Sequence, residues 1–85
     1  MAGLLSGERV NGDLNNFNRD GISYLHHDID HNKSARDMPF SFCDILYAQY
    51  TYFNGTKYRI AIAISHTHEI KIGHSWGQEF QWRVI

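Results

Sequence analysis

The most regular stretch of this chain alternates. Tyr58, Ile60, Ile62 and Ile64 share one parity, while Lys57, Arg59, Ala61 and Ala63 share the other. A period of two places such sets on opposite faces of a β-strand. The first parity continues through His66, His68, Ile70 and Ile72. Strands seldom exceed about ten residues, so a turn is expected at residues 65–68 and a separate strand over residues 69–72. Upstream, residues 40–53 are rich in aromatic and β-branched side chains and are expected to form a strand with a bulge near Asp44. Asn54-Gly55 follows. Between two apolar runs this pair specifies a type I′ hairpin turn, whose two central positions need positive φ. Thr56 is placed to lengthen the loop by one residue.

The other elements are shorter. Asp13 suits the N-cap of a helical turn over residues 13–17. Asn18-Arg19-Asp20-Gly21 is dense in turn formers, and residues 22–25 read as a first short strand. Residues 26–39 are polar with no helical stripe, which predicts a loop. Residues 73–77 read as a loop or bulge and residues 80–85 as a closing strand. Residues 1–12, with three glycines, read as a lead-in segment. The expected fold is mainly β: a small antiparallel β-sheet domain of five or six strands with little helix, spanning residues 13–85.

Composition narrows the function classes. A chain that is 42% hydrophobic and 14% aromatic can fill a core. A net charge of −1 argues against nucleic acid as a partner, because phosphate-binding domains carry a basic excess. Cys43 is the only cysteine, so no internal disulfide forms, and it reads as a small buried hydrophobe. No apolar run approaches the roughly 18 residues of a membrane span, so no membrane insertion is expected.

Six histidines raise the question of metal. His26, His27, Asp28, Asp30 and His31 form one group. The stretch from His26 to Ser34 looks like the core of the HNH nuclease family, in which histidines and an aspartate serve a divalent ion and a general base. This chain departs from that pattern through an extra residue before Ile29-Asp30 and through Pro39-Phe40, which opens a strand in place of a helix. A solvated polar loop is the favoured reading. In the second group, His66 and His68 would point together if both sat in a strand. Two ligands are too few for a closed site, so they would serve an ion only where three chains meet. No CxxC, phosphate loop or HExxH occurs. Asp44 and Glu69 read as ordinary surface acids. No catalytic residue, resident metal or cofactor is assigned, and the chain is not expected to be an enzyme. Trp76 and Trp82 read as core aromatics, with the alternative that Trp76 forms a platform for a sugar ring.

Taken in order, Asp13-Leu14-Asn15-Asn16, Gly21-Ile22-Ser23-Tyr24, a polar loop ending in Pro39, Gln49-Tyr50, a hairpin, Tyr58-Arg59, Trp76 and Trp82 resemble the knob domain of phage and pyocin tail fibres, over residues 13–85. The family's closing tryptophans lie nearer together, and residues 60–72 are additional here. The resemblance implies a non-enzymatic structural and adhesive module of a virion tail fibre, assembled in the host cytoplasm. It implies a homotrimer contacting neighbouring fibre segments and, for host attachment, a bacterial surface glycan. It also implies fold-stabilising roles for Trp82, Tyr24 and Gln49. A small phage-encoded inhibitor of a host protein is a weaker alternative.

Area adds an independent expectation. Ile60, Ile62, Ile64, Ile70 and Ile72 share one parity with Tyr58, and fully burying each aliphatic is worth about 1.5–3 kcal/mol. The parity of Ala61 and Ala63 suits only shallow packing. Some of the isoleucines are expected to hide beneath the strand of residues 40–53, and the rest to line the axis of an oligomer.

Overall fold

The computed structural model describes residues 7–85. Six strands form one sheet in sequence order: β1 (Glu8–Arg9), β2 (Gly21–Asp28), β3 (Phe42–Thr51), β4 (Lys57–Ser65), β5 (Ile70–Trp76) and β6 (Gln81–Val84). All neighbours are antiparallel except β1, which runs parallel to β2. The only helical element among the described residues is one 3-10 turn, Leu14–Asn16. The fold is therefore the mainly β sheet domain that the alternation predicts. Residues 1–6 of the expected lead-in lie outside the described residues. Glu8, Arg9 and Val10 belong to the fold, since β1 pairs with β2 and Val10 is buried.

Several local expectations need correction. β2 runs on to Asp28, so His26, His27 and Asp28 are strand residues. β3 pairs through Asp44 on both sides without a bulge. β5 continues to Trp76, so residues 73–76 are strand. Gly73 stays in register because Trp82 of β6 covers it: a Cβ there would sit 2.7 Å from the indole. Asp13 occupies the cap position of the 3-10 turn but makes no side-chain cap bond. Asp37 takes that role, accepting the N–H groups of Leu14 and Asn15, while Asp13 accepts Arg36 N–H. A carboxylate reaching over from another loop satisfies the turn's free donors equally well.

The β3–β4 turn differs from type I′. Gly55 N–H bonds Tyr52 C=O and Tyr52 N–H bonds Thr56 C=O, and only Gly55 among the loop residues has positive φ (89°). This is a three-residue loop, Phe53-Asn54-Gly55, made of a type I turn and a left-handed residue. The β4–β5 turn repeats the pattern: His68 N–H bonds Ser65 C=O, Ser65 N–H bonds Glu69 C=O, and His68 holds φ 69°.

The registers set two faces. Across the inner one lie Ser23, Tyr47, Ala61, Gly73 and Trp82, and in the next row Leu25, Ile45, Ala63 and Lys71. Small residues here let irregular chain lie close. Val10, Leu14, Phe17, Met38, Phe40 and Phe80 close over the sheet and complete the core. The alanine parity of β4 is thus the buried one, and none of the five isoleucines of β4 and β5 is buried. Bulk comes from the loops, so the sheet side is shallow. Arg59 fastens this cover: it donates to Asn15 C=O, Gln78 C=O and Ser75 Oγ, and lies 5.0 Å from the Phe80 ring centre.

Candidate functional site

The outer face carries the chemistry. Its rows, read across β2 to β5, are Tyr50, Tyr58 and Trp76 on three strands; then Ile22, Ala48, Ile60 and His74; then Tyr24, Leu46, Ile62 and Ile72; then His26, Asp44, Ile64 and Ile70. Among the described residues Gly7 lies against its Tyr24 edge, where a Cβ would sit 3.1 Å from the ring, and the aliphatic side chains beyond stay open to solvent. Seven aliphatic side chains (Ile22, Leu46, Ile60, Ile62, Ile64, Ile70 and Ile72) are between 37% and 76% exposed. Scattered apolar residues are ordinary on a surface, but a contiguous field of this kind marks an interface. At its centre Ile22, Leu46, Ala48, Ile60, Ile62 and Ile72 surround a shallow apolar depression of about 390 Å³. No Asp, Glu, Lys or Arg projects from the two middle rows of β2 to β5.

One end of the field is aromatic. Trp76 meets Tyr58 edge-on at 4.7 Å and Tyr52 at 5.6 Å, with Tyr50 5.0 Å from Tyr52. Trp76 is 54% exposed, which corrects the expectation of a core residue. Trp82 is the one packed against the core, partly buried: it stacks on Phe80 at 5.4 Å and donates its indole N–H to Asp37 C=O.

The opposite end is polar. His26 Nδ1 lies 2.8 Å from Asp44 Oδ1 on the facing strand. His66, the first residue after β4, is tied to β3 by its N–H bond to Phe42 C=O, and its ring stacks on His26 with centroids 6.0 Å apart. One potential donor atom from each of His26, Asp44 and His66 lies within 4.8 Å of the other two. Hydrogen bonding to the Asp44 carboxylate pushes the nearby Tyr24 phenol above its usual pKa.

The sequence groups histidines differently. Alternation splits the stretch that looks like HNH: His26 points outward, and His27 points into the core, fully buried. Burial pushes the His27 pKa below the ordinary imidazole value, Nε2 has no partner, and Nδ1 makes only a long 3.4 Å contact with Asn32. Asp28 does meet His31, at 3.0 Å, and accepts Asp30 N–H, which is the bonding of a local turn. His66 and His68 sit in a turn, with His68 left-handed, so the strand rule that would aim them together does not apply. Glu69 accepts from Thr67 Oγ1 at 3.1 Å, and Asp44 faces the histidines instead. Cys43 is buried and its thiol is pushed up to about 11, chiefly by desolvation, which is the inert state expected. Gln49 is buried, bonded to Tyr47, Asn18 and Asp20, whereas Tyr24 is partly exposed on the outer face.

The trio of His26, Asp44 and His66 was missed because its members are distant in sequence. A signal existed: anchoring the β3–β4 register at the Asn54-Gly55 turn places Phe42 and Asp44 beside His66. Comparison of the chain with protein-family models, curated proteins and solved structures found no match.

Proposed function

We propose that this chain is a non-enzymatic assembly and adhesion module, of the kind used in phage-type tail fibres, that buries its outer sheet face against further copies of itself. The observation that carries this reading is the open aliphatic field of Ile22, Leu46, Ile60, Ile62, Ile64, Ile70 and Ile72. Its seven aliphatic side chains are contiguous on one face, and large contiguous apolar patches mark interaction sites. A second copy is the favoured occupant because the middle of the field on β2 to β5 carries no charge to repel itself, and Arg83, beside Ile72, stands at its rim on the edge strand β6. The tail-fibre resemblance favours a trimer, with three faces enclosing a shared prism. Sedimentation equilibrium at tens of micromolar is expected to give a threefold mass for the chain and a single mass for Ile62→Asp. A monomeric native chain removes the assembly reading, and a dimer removes the trimer.

The adhesive half of the proposal is supported by Trp76, whose exposed indole is flanked by the tilted ring of Tyr52 in an aromatic surface at the end of the field. Sugar rings bind such surfaces through their apolar faces. Binding on an array of bacterial surface glycans is expected to be lost in Trp76→Ala. An unchanged array profile removes the glycan reading and leaves the assembly role alone.

A further inference from the structure

We propose that His26, Asp44 and His66 form a binding site for a first-row divalent transition ion, with Zn²⁺ the best fit. The proposal is independent of how the apolar face is covered, because all three donors come from one chain. β2 and β3 set His26 opposite Asp44 by register, and the Ser65–Glu69 turn carries His66 over Phe42 to complete the set. Two adjacent strands and a tight turn fix the three backbones before any ion arrives, so binding orders only side chains.

The chemistry of the donors selects the ion. Two imidazoles and one carboxylate suit Zn²⁺, Cu²⁺, Ni²⁺ or Co²⁺, whereas Mg²⁺ and Ca²⁺ prefer all-oxygen shells. A tetrahedral Zn²⁺ with bonds of about 2.0–2.2 Å holds its ligands about 3.4 Å apart. The donors now lie within 4.8 Å of one another, so closing on an ion takes a shift of about 1 Å. His66 is exposed, and its side chain is free to supply most of that shift. His26 and Asp44 already share a hydrogen at 2.8 Å. The ion takes that hydrogen's place, and a neutral His26 ring then carries its proton on Nε2. Three protein ligands leave a fourth position open to water at the end of the apolar field, which is the ligand count of an accessible site.

The test is calorimetric titration of the tag-free chain with zinc chloride near neutral pH, with Co²⁺ absorption as a second readout. One ion per chain is expected, at micromolar affinity or tighter, together with the visible band of tetrahedral Co²⁺. His66→Ala and His26→Ala should each weaken binding tenfold or more, and His68→Ala and His74→Ala should leave it unchanged. His66 lies in an exposed turn whose backbone bonds do not involve its ring, so His66→Ala keeps the test decisive if His26→Ala fails to fold. In the native chain, Zn²⁺ should also shift the NMR imidazole signals of His26 and His66 and leave that of His74 in place. Absence of saturable binding overturns the proposal, as does binding that His66→Ala leaves unchanged. One ion per two or three chains, lost in His68→Ala, also overturns it by moving the ligands to a site shared between copies.

Discussion

Arg59 shows how much a single side chain governs here. It is buried without a carboxylate beside it, and its guanidinium is held by two backbone carbonyls and the Ser75 hydroxyl. Removing it leaves the Asn15 carbonyl without that donor beneath the cover, at a cost of about 1–3 kcal/mol, and takes away the packing on Phe80, while Ser75 and Gln78 keep their bond to each other. Arg59→Ala is therefore expected to lower stability by about 3 kcal/mol in urea titrations, while exposed Arg83→Ala changes it by less than about 0.5 kcal/mol. Asp20 acts through pH. Hydrogen bonds from Thr51 and Gln49 hold its carboxyl below the usual value. Its contribution is present above the unfolded-state pKa near 4 and is lost as pH falls through the lower folded value. Asp20→Asn should flatten that acid limb in melts taken below about pH 4. From sequence, the buried Cys43 and the packed Trp82 were legible from residue type, whereas the structural role of Gln49 came only from the tail-fibre resemblance. Arg59 was not legible. Nothing in an alternating strand tells which charged residue will be covered by loops from elsewhere.

Among the elements, the two tight hairpins share one turn form but meet its demand differently. Gly55 supplies the left-handed position at no steric cost, whereas His68 occupies the same position with a Cβ. Left-handed backbone costs an L-residue about 1 kcal/mol, so His68→Gly is expected to raise the urea midpoint by an equivalent amount. A loss of stability would show that the His68 ring contributes more than its backbone costs. β4 was legible from its alternation, the cores of β2 and β3 from their aromatic and β-branched content, and the turn at residues 65–68 from the limit on strand length, whereas β1 was read as part of a lead-in segment. Inside and outside on β4 were not legible. Large side chains normally mark the buried parity, but here the loops carry Leu14, Phe17, Met38 and Phe80 into the core, so Ala61 and Ala63 fit beneath them and the isoleucines face out. Reading β5 as ending before Gly73 failed for a related reason. The glycine accommodates Trp82 and does not break the strand.

For the whole molecule, the outer sheet face is left open by the described residues, so the proposed self-association would tie stability to concentration. A protein whose second face is buried by its own copies melts at a temperature that rises with concentration. The native chain is expected to show that rise between micromolar and hundreds of micromolar. Ile62→Asp should melt at one temperature throughout, since a carboxylate in the field opposes burial while leaving the inner core intact. The sheet's two edges bear on what such association produces. β1 has two residues and β6 has four, so among the described residues neither edge offers a long row of unpaired backbone groups. Pairing at an edge repeats without limit and leads to fibrils, whereas packing through a single face stops once that face is filled. The short outer strands therefore bias the chain toward assemblies of fixed size, in which adding more protein makes more particles and not longer ones.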